Sequence, residues 1–450
     1  MSGPPLPARF CTNFGGYGRG VPDAVVEATC EEDVCAVLRV SRQLGIPVAV
    51  RGTGHSSNGR LAIADGGILL VNATPADPDV IVSPGLADIE ARAQWRAVES
   101  RLNHAAASVR VLTDTLTLSV GGTISVGGYG VRSIRWGAQV DHVESLRIIL
   151  PDGTPVECSA DHNPELFRFA LGGIGAVGVI ERVRIRTQSM PAFSRAYVGT
   201  SRTWRQALEA LREIASMPQG DTLDDAPAEL SATFFTDGRC LLRRRYYFAT
   251  REEAEVAVSP GLPVIANAKA EPVDRASWFS EADDVDRWLA QFSGTRKVWA
   301  DYLLDYLQFC EFMTEIERRA RSGHEGHRYL PSVYVLAIRI PSPASAAKGF
   351  VAASALSPSA GATGAYRFGC GLYHMVPEND AAGVAATIAA CEDLVNRCIE
   401  LGGRPYLHGV ASMSEFTRRQ VYGDDYERLL QLRRQHDPDG LFNGGWFRRG

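Results

Sequence analysis

No apolar run in this sequence approaches the ~20 residues that span a bilayer, so no membrane partner is expected. Strong charge of either sign is also missing. The 47 Lys and Arg against 52 Asp and Glu leave a net charge of −5, which excludes the broad basic field of a nucleic-acid binder. None of the nine cysteines forms a Cys-x-x-Cys pair. Cys30 with Cys35, and Cys391 with Cys398, stand at helix-like rather than zinc-ligand spacings, so no metal is expected and the thiols read as reduced and buried, as in a cytoplasmic protein. The stretch Met1–Arg9 has no apolar core of the signal-peptide kind. Without secretion the sequon Asn72-Ala73-Thr74 carries no meaning. No Gly-Lys-Ser/Thr closes a Walker loop, and no Gly-x-Gly-x-x-Gly opens a helix, so neither a P-loop enzyme nor a Rossmann domain is expected. There is no internal repeat. What remains is a globular composition, 45% hydrophobic and 22% charged, long enough for two or three domains.

Glycine is abundant, at 44 residues, and clusters in the first 180 positions. Arg51-Gly52-Thr53-Gly54-His55-Ser56 follows the β-branched run Ile46–Val50, which reads as a buried strand. Its glycines let backbone approach a ligand, its N–H groups can form an anion nest, and Arg51 adds a fixed cation. Taken alone, the same pattern also fits a plain structural turn. A second Gly-rich segment runs from Leu112 to Gly130 and interleaves Gly121, Gly122, Thr123 and Ser125 with Val120, Ile124 and Val126. Linkers rarely carry β-branched residues so densely. A third run spans Leu171–Ile180. Three such loops point to a large, extended ligand lying against bare backbone, with Thr123 and Ser125 offering hydroxyls.

Together these segments resemble a known family. Arg-Gly-x-Gly-His-Ser, Thr-Asp-x-Leu-x-Leu-Ser-Val-Gly-Gly-Thr-Ile-Ser, Arg135-x-Gly137-x-Gln139, and Asn163-Pro164-Glu165-Leu166-Phe167 with the run at 171–180 are similar to the FAD-binding domain of the vanillyl-alcohol oxidase and p-cresol methylhydroxylase superfamily. The pattern is nearest to cytokinin dehydrogenases. Asp301–Leu307, Gly402–Leu407 and His436–Asn443 also have counterparts there. The resemblance implies an α+β protein: a PCMH-type FAD-binding fold of two α/β subdomains with a sheet-plus-helices substrate domain. It implies an FAD-dependent oxidoreductase, oxidase or dehydrogenase.

The resemblance also assigns residues. His55 matches the histidine bonded covalently to the flavin. A second, cysteine-borne link is not expected, because its place is held by Thr115. Asp114 matches the aspartate that faces the substrate amine; a carboxylate near a flavin and away from water would have a raised pKa suited to drawing off a proton. The cofactor contacts carried over are Gly52, Thr53, Gly54 and Ser56 in the first loop, and Ser119, Gly121, Gly122, Thr123, Ser125 and Tyr129 in the second. Ile180 would lie near the adenine end, and Tyr406 and Asn443 near the flavin ring, with Tyr406 counted as catalytic.

The substrate pocket departs from the pattern. Tyr-Leu-Pro-His-Tyr is Tyr406-Leu407-His408-Gly409-Val410 here, Ser-Pro-Gly-Gln is Asn443-Gly444-Gly445-Trp446, and a glutamine of the first loop is Arg60. No equivalent of a further acidic substrate contact stands near Trp204–Leu211. Arg132, Arg135 and Trp136 are candidates for a pocket wall, although the arginines equally suit a solvated face. The expected reaction removes hydride from a C–N bond of a small-molecule amine, with oxygen or another small acceptor as partner. Oxidation of an alcohol or sugar, a tailoring step on a secondary metabolite, or a non-catalytic flavin- or ligand-binding relative are the alternatives. His324-Glu325-x-His327 reads as a solvated loop.

The periodicity predicts a helix over 25–44 stopped by Gly45, a hairpin at 147–157 around Pro151-Asp152-Gly153, and an amphipathic helix at 203–216. Strands are expected at 230–236, 240–248 and 333–340, and helices at 303–320 and 383–401. The expected domains are 1–190 for FAD, 191–402 for substrate, and 403–450 returning to the first. The Ala, Ser, Pro and Gly-rich segment 341–364 reads as a surface segment or lid.

Overall fold

The computed structural model describes residues 6–57, 65–218, 220, 225–258, 266–275, 288–341, 358, 360, 362–445 and 447. Three sheets organise them. The first is a parallel three-stranded sheet in which Ile68–Asn72 lies between Ala24–Ala28 and Val48–Arg51. The helix Glu31–Leu44 connects the first two strands of the chain. Glu31, Glu32 and Asp33 complement the dipole at its start, and Gly45 ends it in the left-handed region at φ 66°. Residues 25–28, expected as helix, are strand instead. Val25 and Val26 suit a pleated surface, and parallel pairing with Leu69 and Leu70 decides the conformation.

The second sheet has six strands, with Val179–Ser189 pairing to Leu86–Glu90 on one side and Val143–Ile149 on the other. Val143–Ile149 continues into Pro155–Ser159 through the expected hairpin. The third sheet has nine strands. Its order runs Ala266–Ala270, Phe193–Ser201, Cys240–Phe248, Glu229–Phe235, Ser332–Arg339, Tyr366–Pro377, Thr295–Leu304, Arg404–Tyr406, with Asp274–Arg275 alongside Phe193–Ser201. The helices Trp204–Ala215, Tyr306–Arg321 and Ala381–Glu400 pack on this sheet. The helix expected from 303 begins only at Tyr306, because Leu303 and Leu304 end a strand and Asp305 forms the cap with Gln308.

The change from the second sheet to the third falls between Ser189 and Phe193. At the other end, Arg404–Tyr406 still pairs with Thr295–Leu304. The segment from 403 therefore first completes the third sheet, and the return is made by residues beyond Tyr406. There Phe442 bridges to Val48, and the Val48 N–H donates to Leu441 O at 2.8 Å. A buried ion pair shapes that return. Asp437 accepts from Arg433 at 3.0 Å and from the N–H groups of Leu441 and Phe442 at 2.9 and 3.1 Å, while Arg433 also donates to Ala176 O at 3.1 Å.

Among the described residues no helix is long and apolar enough to cross a membrane, and every cysteine is a free thiol. Most of segment 341–364, expected as a surface segment or lid, lies outside the described residues, as does Arg60.

Candidate active site

One cavity of about 290 Å³ runs between the first two sheets and opens onto the third. Its long walls are the three Gly-rich segments. The first follows the strand Val48–Arg51, as expected of the run before it. Gly54 sits at φ 75°, and a Cβ there would lie 2.2 Å from the Arg51 guanidinium, so the turn accepts only glycine. Arg51 is held by Thr12, whose carbonyl accepts at 3.0 Å. The second segment is not a plain loop: Val120–Val126 is a short helix. A Cβ on Gly52 would approach Ser119 Oγ to 2.4 Å, and one on Gly122 would reach the same atom at 2.8 Å. Two bare backbones thus face each other across Ser119.

The third wall is Ile174–Ile180, and Asn443 fastens it to the first. The Asn443 side chain accepts from the Val50 N–H at 2.8 Å and donates to Gly175 O at 3.0 Å. Its backbone takes a positive φ of 43° to do so.

Every residue carried over by resemblance lines this cavity: Arg51, Gly52, Thr53, Gly54, His55, Ser56, Asp114, Ser119, Gly121, Gly122, Thr123, Ser125, Tyr129, Ile180, Tyr406 and Asn443. Two expected hydroxyls are already engaged by protein. Thr123 accepts from the Trp95 indole at 2.9 Å and donates to Val120 O at 3.0 Å, and Ser125 donates to Gly121 O at 2.7 Å. These side chains brace the short helix rather than point free donors into the cavity.

His55 joins an aromatic cluster in which Phe14 also meets Trp299, with centroids 5.0 Å apart. Phe14 lies tilted against His55 with centroids 3.7 Å apart, and Trp299 is edge-on at 6.1 Å. Burial drives the His55 pKa down to about 3, and electrostatic interaction with His408 and Lys297 acts in the same direction. The ring is therefore neutral at pH 7, with a lone pair on one nitrogen. Asp114 lies at the same end. Burial pushes its pKa up to about 7, with the charges of Glu229 and Asp301 adding to the rise and hydrogen bonds from Tyr334 and the Val131 N–H opposing it. The Val131 bond is 3.3 Å long.

The third sheet supplies residues for which the sequence pattern offers no role. Trp299 and Asp301 alternate on one face of Thr295–Leu304, and Tyr373 stands opposite Trp299 on the neighbouring strand. Asp301 accepts from the Tyr129 and Tyr373 hydroxyls at 3.2 and 3.0 Å and from His408 Nε2 at 2.8 Å. Tyr406 tilts against Tyr129 at 4.7 Å, and its hydroxyl accepts from the Gly128 N–H at 3.0 Å. Asp301 stands in a block shared with the family, and His408 at a departure from it; alternation along the strand is the signal that pairs Asp301 with Trp299.

Arg132, Arg135 and Trp136 do not form a pocket wall. Arg132 is 1% exposed, paired with Glu229 and donating to Ser108 and Val109. Arg135 donates to the carbonyls of Gly220, Ala226 and Pro227. The Arg132 guanidinium ties the second sheet to the third, and that of Arg135 fastens the short helix Ser133–Trp136 to the segment that leads into Glu229–Phe235. His327 is not solvated either: it is buried with Nδ1 3.2 Å from His374 Nε2. Among the described residues no group of three His, Cys, Asp or Glu is placed to hold a metal.

The cavity thus joins backbone-lined walls beside Arg51 and Arg92 to an aromatic, acidic end. A long ligand with an anionic middle and a flat ring fits both halves. Residues 22–159 match the FAD binding domain family. The chain carries an FAD-binding domain. Over 185 residues it is 37% identical to an uncharacterized oxidoreductase of the fasciation locus of Rhodococcoides fascians, covering 41% of this chain and 42% of that protein. It is 36% identical over 191 residues to cytokinin dehydrogenase 10 of Oryza sativa subsp. japonica, covering 40% and 34%. With cytokinin dehydrogenase 3 of Arabidopsis thaliana it shares 33% identity over 185 residues, covering 40% and 35%. The matched part spans well under half the length of each relative, so the likeness speaks for the FAD-binding domain and leaves the substrate end to be argued from its own side chains.

Proposed function

We propose that this protein is an FAD-linked oxidoreductase that takes hydride from the C–N bond of a small amine. The observation that carries the reading is Asp114, a carboxyl whose pKa is raised to about 7 at the end of the cavity where His55 stands. FAD supplies the two-electron acceptor when bound. The first and second Gly-rich segments would hold its pyrophosphate and adenosine portions against backbone, beside Arg51 and Ile180. His55, neutral and packed against Phe14, would hold the flavin through a single covalent bond. Asp114, near its pKa at neutral pH, draws the proton from the substrate N–H as the adjacent C–H bond is broken. Tyr129, Tyr373 and Tyr406 close the site against water. The partners are a small-molecule substrate and oxygen or another small electron acceptor.

Acid precipitation of wild type and His55→Ala tests the linkage: yellow colour staying with the wild-type pellet and leaving the variant supports it. Bleaching of the flavin under anaerobic conditions by isopentenyladenine supports amine oxidation. Bleaching by sugars or polyols instead would move the reaction to a C–O bond, and flavin that no donor reduces would point to a binding protein.

A further inference from the structure

The Asp301 and His408 pair lies outside the residues that the proposed reaction uses, yet both line the cavity. Asp301 is 3% exposed, and its two oxygens receive three hydrogen bonds. A carboxylate so placed only accepts. His408 Nε2, at 2.8 Å from Oδ2, is therefore the donor, and in the neutral ring the lone pair lies on Nδ1. Nδ1 has no protein partner among the described residues and is not among the buried side-chain atoms that lack one. The ring retains 22% of its side-chain surface. Its main chain is fixed as well: His408 O accepts from the Ser57 N–H at 2.9 Å and from Ser56 Oγ at 3.1 Å, on the segment that carries His55. Tyr406 packs edge-on against the ring at 4.8 Å. A carboxylate orients the imidazole, backbone bonds fix its position, and one bare nitrogen is left at the cavity.

We propose that His408, oriented by Asp301, is a second anchoring point for the substrate: Nδ1 accepts a hydrogen bond from an N–H or O–H that is not the one beside the oxidised carbon. The substrate class is then a compound with two separate donors, one for Asp114 and one for His408. A flat or unsaturated frame between them suits the walls formed by Trp299 and Tyr373, whose rings lie 4.6 Å apart. The proposal rests on the amine-oxidase reading for the first donor. It goes beyond that reading in naming the second.

Two measurements on the purified holoprotein test it. The first needs no substrate. Diethyl pyrocarbonate attacks a bare imidazole nitrogen, and peptide mass spectrometry locates the product; the exposed His104 and His162 serve as internal controls. His408 is expected to be modified, and Asp301→Asn is expected to slow that modification selectively. An unmodified His408 beside modified His104 and His162 overturns the proposal. The second compares flavin bleaching by isopentenyladenine and by its 9-methyl derivative, which lacks the ring N–H. Wild type is expected to favour the first by about 10- to 100-fold, the usual consequence of leaving an acceptor unmatched once the bound ligand has covered it. His408→Ala should abolish the preference, and His408→Gln, which retains an acceptor, should restore part of it. A preference unchanged in His408→Ala overturns the proposal even if His408 reacts. If neither purine bleaches the flavin, the amine reading fails, and the modification result still decides whether His408 offers a bare acceptor.

Discussion

Asp114→Asn separates the proton-acceptor role from the shape of the site. The amide oxygen can still accept from the Val131 N–H, so the cavity keeps its geometry. What is lost is the ability to take a proton, a function worth about 10²- to 10⁴-fold in rate. The same carboxyl fixes a pH dependence. Its folded pKa of about 7 stands above the ordinary value of 3.8. Substrate reduction of the flavin in wild type should therefore rise with pH up to about 7 and level off above it. In stopped-flow anaerobic assays the low-pH limb should disappear from Asp114→Asn along with most of the rate. Asp301→Asn removes a charge that raises the Asp114 pKa, so it should move the limb to lower pH. The effect on stability has the opposite sign from the effect on rate. Between 3.8 and about 7 the folded protein retains a proton that the unfolded chain has lost, so stability falls as pH rises through that window. The upper bound is on the order of 4 kcal/mol at about 1.36 kcal/mol per pH unit, reduced by the solvent that reaches Asp114 from the cavity. Asp114→Asn should accordingly flatten the fall of melting temperature between pH 4 and 7. A limb near pH 7 that persists in Asp114→Asn refutes the assignment.

The other expectations concern the walls. Asn443→Ala leaves the Val50 N–H and Gly175 O without partners and keeps a positive φ on a residue that tolerates it less well, a loss of about 2–4 kcal/mol; thermal unfolding and the flavin-to-protein absorbance ratio should both drop. Gly54→Ala puts a Cβ into the Arg51 guanidinium and should leave folded protein with little flavin, read from the same ratio beside circular dichroism. Asp437→Ala strands Arg433 in a buried position and should cost about 3–5 kcal/mol in chemical denaturation, with loosened flavin as a consequence of the lost C-terminal turn.

The part of the site built from glycine is legible in sequence because its chemistry is local. Gly54 and Gly122 stand three residues from the groups they accommodate, Arg51 and Ser119, so the backbone they permit can be inferred from neighbours in the chain, whereas the close approaches of Gly52 to Ser119 and of Gly121 to Ala91 and Ile180 cross between segments and show only in the clustering of glycines. The helix Trp204–Ala215 and the strands near 230, 240 and 333 are legible for a similar reason, since an apolar period of 3.6 or 2 survives in a short window. Ala24–Ala28 escapes such a reading because valines fit either period until a partner strand is known. Thr123 and Ser125 are expected to face a ligand because sequence gives a hydroxyl no direction, whereas Trp95 and the carbonyls of a short helix fix it.

The substrate end is least legible, and the reason is physical. Asp301 gains its meaning from Tyr129, Tyr373 and His408, which lie 172, 72 and 107 positions away in the chain. Strand register brings them together: Asp301 faces Tyr406 on one neighbouring strand and Gly371 on the other. Glycine at 371 matters to that arrangement. A Cβ there would come within 2.6 Å of the Tyr373 ring and 3.0 Å of Asp301 Oδ1, so a larger residue would push apart the tyrosine and the carboxylate it serves. Gly371→Ala should thus leave flavin loading through the first two sheets largely intact while weakening the Tyr373–Asp301 contact. The expected signature is a raised KM with kcat less affected, since anchoring is lost and Asp114 is not touched. A fall in kcat at unchanged KM would instead place Asp301 in the proton transfer itself.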